Sequence, residues 1–189
     1  VYLNDKYTPH KAVENIETFK NQYKTNFIIA PLGTPTLRSY LDKVKANKTI
    51  VFFPPTGSPL FRDPTLSSII HFRPSYEKEG EVLMKHALQT SPRLKYLVFY
   101  QNDDFGQGGL KGIKKAFNQN KQNRTLHEIA YDRNQINFSN LIPEIKNYNP
   151  DVILFASTSA AATELIRQLE TDYFSNRKIL GISDLSEVA

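Results

Sequence analysis

YLVFYQNDDFGQGGLKGIKKAF, residues 96–117, spells out a strand, a turn and a helix in succession. Tyr96 to Gln101 are nearly all apolar or aromatic, the pattern of a strand buried on both faces of a parallel sheet. The character changes at Asn102, Asp103 and Asp104, which bond to local backbone and favour turns. Gly106, Gly108 and Gly109 then permit sharp bends and close approach of another molecule. Beyond them Leu110, Ile113 and Phe117 recur at helical spacing, with Lys111, Lys114 and Lys115 on other faces. One βα unit is therefore complete. In open α/β sheets the ligand crevice lies at the carboxyl ends of the strands, so function is expected at Asn102 to Gly109.

A phosphate site is the first chemistry to test at such a turn, and the spacing opposes it. A dinucleotide fingerprint starting at Gly106 and using Gly108 needs a small third residue where Lys111 stands, and a P-loop needs glycine there. Asp103 and Asp104 also place negative charge beside any phosphate at this helix N-terminus. Two readings remain: glycines that only shape the turn, and Phe105 as an apolar wall for a small ligand.

Bulk properties fit a soluble α/β protein. The 189 residues suit one domain or two small lobes, with 40% hydrophobic and 23% charged residues. A net charge of +5 raises the question of nucleic acid. The lysines are nevertheless scattered along helices among glutamates, and no nucleic-acid module accompanies them, so no nucleic-acid partner is expected. The sequence has no cysteine, which removes disulfides, thiolate metal sites and cysteine nucleophiles. His10, His71, His86 and His127 are far apart and begin no ligand pair, so no metal or other cofactor is expected. No run of about 18 apolar residues is present to span a membrane.

Outward from the central unit the same alternation repeats. Val1 to Leu3 reads as a strand-like segment. Thr8–Pro9 and Thr34–Pro35 each pair an N-cap hydroxyl with proline at the first helical position. The first opens a helix burying Ala12, Ile16, Phe19 and Tyr23. The second follows the strand Phe27 to Ala30 and opens a helix with Leu37, Leu41 and Val44 inward. Ile50 to Phe53 is a strand, Leu60 to Ser67 a loop with at most one helical turn, and Ser68 to Phe72 a strand. Ser75 is placed to cap a helix that buries Gly80, Leu83, Met84, Ala87 and Leu88. Leu126 to Tyr131, Val152 to Ala156 and Ile179 to Ile182 are further strands. Phe138, Leu141, Ile142 and Ile145 mark one intervening helix, and Ala161, Leu165, Ile166 and Leu169 another. Alternation at this pitch implies parallel sheets flanked by helices. The irregular stretch Leu60 to Ser75 is the candidate passage between two lobes.

Four strand-end turns share a character: Leu32 to Thr36, Pro55 to Ser58, Asn102 to Gly106, and Ser157 to Ser159. Three offer Thr or Ser hydroxyls and one offers Phe105. None pairs a base with a nucleophile, so no enzymatic activity is expected. The helix at Pro35 can receive a carboxylate on its free amides, with Thr34 or Thr36 adding a hydroxyl, and Asp184 can receive an ammonium group. Composition and spacing alone favour the plainer reading, in which Thr34, Ser58 and Thr158 cap helices or shape turns.

The ordered series DKYTPHKAVENI, APLGTPT, PPTGSPLFRDP, FRPSYEKEGEVL and FYQNDDFGQGG, from about Asp5 to Asp184, resembles the type 1 periplasmic binding proteins. The likeness is strongest to branched-chain amino acid (Leu/Ile/Val) receptors of ABC transporters. That resemblance implies two Rossmann-like lobes with parallel sheets flanked by helices, closing on a small amino-acid-like or amide ligand outside the cytoplasm, with a membrane permease as partner. It implies residues 1–73 in one lobe and 74–189 in the other, the first crossing lying at Arg73 to Tyr76. Carried over by position, Gly33, Thr34 and Thr36 with Pro55, Thr56, Gly57 and Ser58 hold the ligand from the first lobe. Tyr76, Phe105, Ser157, Thr158 and Asp184 complete the site, Phe105 standing where related receptors often have tyrosine.

Two departures accompany the resemblance. The family has a further strand before the segment at Val1, lying between it and Phe27 to Ala30, and it continues well beyond Ala189. The chain is therefore expected to be a segment truncated at both ends, one that does not bind ligand normally alone. The same fold also serves as a ligand-sensing domain of signalling receptors and regulators, which is the alternative function. A nucleotide-using α/β enzyme is a third.

Overall fold

The structure is a computed structural model that describes residues 1–46, 49–90, 95–120 and 123–187. It forms two compact units, Val1–Ser75 and Tyr76–Ala189.

In the first unit the helix α1 (Pro9–Asn21) precedes the strand β1 (Phe27–Ile29). The short helices α2 (Thr34–Ser39) and α3 (Leu41–Ala46) lead to β2 (Ile50–Phe52), and a 3-10 turn at Pro59–Phe61 leads to β3 (Ile69–Ile70). The strands form a parallel sheet in the order β1-β2-β3. One face of it carries the core, where Ile28, Val51 and Ile69 meet Ala12, Ile16, Leu37, Leu41 and Val44. The alternation of strand side chains sends Phe27 and Ile29 to the opposite face, where they are exposed.

Several local expectations change here. Val1 to Leu3 pairs with no strand among the described residues, and Val1 and Tyr2 lie exposed. An apolar triplet becomes a strand only when a ladder takes up its backbone groups. All three strands of this sheet stop short of the runs that announced them, β1 at Ile29, β2 at Phe52 and β3 at Ile70. The helix read through Leu37, Leu41 and Val44 breaks at Tyr40, whose backbone leaves the helical region, although all three apolar residues remain buried. Neither threonine caps its helix. Thr8 occupies the N-cap without a capping bond, its hydroxyl donating to the Lys6 carbonyl. Gly33, not Thr34, occupies the N-cap of α2. Gly33 adopts φ of +96°, and a Cβ there would run into the Tyr7 ring, so glycine is required on two counts.

The second unit contains α4 (Tyr76–Thr90), β4 (Lys95–Gln101), α5 (Asp104–Gln119), β5 (Thr125–Tyr131), α6 (Ile142–Tyr148), β6 (Val152–Ala156), α7 (Ser159–Leu169) and β7 (Lys178–Gly181). A 3-10 turn at Ser183–Glu187 follows. The four strands form a parallel sheet in the order β5-β4-β6-β7. Alternate residues of the central strands serve opposite faces. Leu97, Phe99, Ile153 and Phe155 pack with Phe138, Ile145 and Leu165 on one side. Tyr96, Val98, Val152 and Leu154 pack with Met84, Leu110 and Ile113 on the other. Phe138 is fully buried but precedes its helix, which starts at Ile142.

The largest correction concerns the glycines after β4. They do not bend the chain, because α5 already begins at Asp104 and runs through them. A Cβ on Gly106 would strike the Gln101 backbone, one on Gly109 would press on Ala156, and one on Gly112 would strike the Glu77 carbonyl. What approaches so closely is therefore β4, β6 and α4 of the same unit. The lysines of α5, on the helix faces away from Leu110, Ile113 and Phe117, meet carboxylates of neighbouring elements. Lys111 pairs with Glu77 at 2.9 Å, Lys114 with Glu128 at 2.7 Å, and Lys115 with Glu81 at 3.4 Å.

Candidate functional site

In the first unit the turns after β1 and β2 come together through side chains. Thr34 Oγ1 and Thr56 Oγ1 share a hydrogen bond of 2.7 Å, both residues being buried. The Thr56 hydroxyl also accepts from the Ser58 amide at 3.2 Å. Ser58 Oγ accepts from the Leu60 amide at 3.3 Å and so caps the 3-10 turn. Thr36 donates to the carbonyls of Leu32 and Gly33. Gly57 is buried beside them and Pro55 half-buried. These hydroxyls thus shape the turns. The helix α2, whose free amides are the expected seat for a carboxylate at Pro35, is six residues long. Arg62, whose guanidinium donates to the carbonyls of Arg73 at 2.7 Å and Pro74 at 3.1 Å, ties this region to the end of the unit.

In the second unit the candidate residues lie at the carboxyl ends of β4, β6 and β7, with Tyr76 at the start of α4. Asp103 is the N-cap of α5, and one of its oxygens accepts from the amides of Phe105 at 3.0 Å and Gly106 at 3.4 Å. The helix start is satisfied by the chain's own carboxylate, which is the physical reason the turn is no phosphate cradle. Phe105 is buried against Tyr76 in an edge-to-face contact, ring centroids 4.9 Å apart, with Ile182 completing the cluster. Thr158 caps α7 through the Ala161 amide at 3.4 Å. Ser157 differs from the other hydroxyls: it is fully buried, and its Oγ has no hydrogen-bond partner among the described residues. Asp184 is half-buried in the terminal 3-10 turn.

Two residues that sequence reading passed over hold these loops together. The Tyr131 hydroxyl accepts from the Thr158 amide at 3.1 Å and donates to Gln101 Oε1 at 3.3 Å. Burial pushes the Tyr131 phenol above its usual value, the bonds from Thr158 oppose that rise, and the charges of Asp103 and Asp184 add to it. The only sequence signal for this group was a polar residue, Gln101, closing an otherwise apolar strand.

No cluster of three or more His, Cys, Asp or Glu side chains able to hold a metal occurs among the described residues. The His71 ring meets the Phe61 carbonyl at 2.8 Å and His127 meets Glu144 at 2.7 Å, both structural contacts. A cleft of about 370 Å³ in the first unit lies among Tyr2, Tyr7, Phe19, Ile29 and Tyr40 and contains none of the candidate hydroxyls.

The family model described as periplasmic binding protein matches residues 1–183. No individually curated protein matches the sequence. Among solved structures, a leucine binding protein from Thermotoga maritima superposes with a TM-score of 0.86 at 16% identity, over 98% of this chain and 52% of its own. A possible leucine/isoleucine/valine-binding protein from Rhodopirellula baltica gives 0.81 at 23% identity, over 97% and 50%. An ABC transporter solute binding protein from R. palustris, in complex with benzoate, gives 0.85 at 15%, over 98% and 51%. The chain spans about half the length of these structures.

Proposed function

Because the chain belongs to the periplasmic binding protein family, we propose that it is part of an extracytoplasmic solute-binding protein of an ABC transporter. In this reading it delivers a small amino-acid-like or amide ligand to a membrane permease. Each unit supplies contacts from the loops at the carboxyl ends of its strands, where open parallel sheets present ligands. Gly33, Thr34, Thr36 and Pro55 to Ser58 act from the first unit. Tyr76, Phe105, Ser157, Thr158 and Asp184 act from the second.

The observation that carries the reading is Ser157. A fully buried hydroxyl with no partner among the described residues is costly, and at a strand end in a binding fold its natural complement is a polar group of the ligand. Leucine and benzoate, named for two of the similar structures, share a carboxylate. A carboxylate is also a good acceptor for a serine hydroxyl, and Asp184 carries the charge that suits an ammonium group. No reacting group is needed for this task, and the role is binding without catalysis.

A thermal-shift screen of the full-length protein against L-leucine, L-asparagine, benzoate and ATP tests the proposal. A ligand at about a hundredfold excess over Kd stabilises the folded state by about 2.7 kcal/mol. A rise in Tm with an amino acid, amide or carboxylate supports the reading. A rise with ATP alone overturns it.

A further inference from the structure

The carboxyl ends of β4, β5 and β6 are joined beneath the candidate loops by one continuous run of hydrogen bonds. It starts at the Thr158 amide, which donates to the Tyr131 hydroxyl at 3.1 Å. Tyr131 donates in turn to Gln101 Oε1 at 3.3 Å, and Gln101 Nε2 donates to Asp103 Oδ2 at 2.6 Å. The other oxygen of the same carboxylate holds the Phe105 and Gly106 amides. The run thus begins beside Ser157 and ends at Phe105.

Tyr131 and Gln101 are 2% and 1% exposed, so water does not replace these bonds if they break. The phenol ring is fixed as well, stacked on Phe99 at 4.6 Å and met edge-on by Phe138 at 5.6 Å. A residue needed only to fill this apolar face would be served by phenylalanine. The hydroxyl is what joins two loops that lie far apart in sequence. A phenol is protonated at neutral pH and burial pushes the Tyr131 value further up, so its hydroxyl keeps both its donor and acceptor roles there.

We propose that Tyr131 is a positioning residue for the ligand site, its hydroxyl setting the Ser157–Thr158 loop in register with the Asp103-capped helix start that carries Phe105. The inference rests on the solute-binding reading for its purpose, but the coupling itself is measurable without ligand.

Amide hydrogen exchange in the full-length protein provides the test. Tyr131→Phe is expected to speed exchange at Thr158 by about tenfold relative to Leu154 in the middle of β6, in line with loss of one buried hydrogen bond. Asp103→Asn, which does not touch Thr158, is expected to speed the same amide, and the double variant to be no faster than Tyr131→Phe alone. Equal acceleration at Leu154, an unchanged Thr158 in Asp103→Asn, or effects that simply multiply would each overturn the coupling. Titration with L-leucine, L-asparagine and benzoate separates the two claims. A wild-type protein that binds none of them counts against the solute-binding reading, whatever the exchange data show.

Discussion

Thr34 and Thr56 donate and accept across 2.7 Å between turns that follow neighbouring strands, and both are buried. The pair makes one rigid element of two loops. It also separates the shaping role of the hydroxyls from any role toward ligand, because each threonine can be altered in turn.

Thr56 carries the heavier duty, since its oxygen also receives the Ser58 amide. Replacing it by valine keeps the shape but leaves that buried amide and the Thr34 hydroxyl without partners. Urea denaturation of Thr56→Val should show a loss of about 1–3 kcal/mol. Thr34→Val should lose less, about 1 kcal/mol, because it strands one group only. A larger loss in Thr34→Val would contradict this ordering.

The α4–α5 contact gives a second expectation. A methyl group on Gly112 meets the Glu77 carbonyl and the Glu81 amide, which belong to helix backbone and cannot swing aside. Gly112→Ala should therefore lower stability by about 1–3 kcal/mol, despite the better helix propensity of alanine. A stabilised Gly112→Ala protein would show that the two helices are packed less closely than described.

This contact also marks what the sequence could and could not disclose. The strands β4 and β6 were legible because a strand buried on both faces is an uninterrupted apolar run. The core faces of α4, α5 and α7 were legible because burial repeats at helical spacing. The start of α5 was misread because glycine weakens helices in isolation, whereas Gly106, Gly109 and Gly112 are there for neighbours that only the folded chain brings up. The cap of α2 slipped by one residue for a similar reason: Thr34 looks like a cap until Thr56 supplies its actual partner. The Tyr131–Gln101–Asp103 group was invisible because no local pattern links residues on separate strands.

Stability should fall in acid through particular carboxylates. Arg167, bonding Glu164 with help from Gln168, holds that carboxyl at about 2 against an ordinary value of 4.5. Lys85 bonds Glu81 and lowers it as well, with Lys115 adding to the effect. Each group binds protons less readily folded than unfolded, so its contribution is complete above pH 4.5 and disappears as pH falls toward the folded value. Urea midpoints between pH 5 and pH 2.5 should drop less steeply for Glu164→Gln than for the wild type. Parallel curves would contradict the assignment.

Phe105 tests the apolar side of the second unit. Its ring packs edge-to-face on Tyr76 and against Ile182, with 3% exposure. Phe105→Ala should cost about 3–5 kcal/mol in chemical denaturation, and Phe105→Tyr far less if the added hydroxyl finds a partner. A near-neutral alanine variant would place the ring outside the core.

At Ser157 stability and binding should part company. Its hydroxyl is buried and makes no hydrogen bond among the described residues, so Ser157→Ala removes no internal partner. Calorimetric titration of the full-length protein with the small molecule that raises its Tm is the measurement to make. Ser157→Ala is expected to melt at or above the wild-type temperature while binding about tenfold more weakly, the worth of one hydrogen bond to ligand. Unchanged affinity with unchanged stability would contradict it and take Ser157 out of the site.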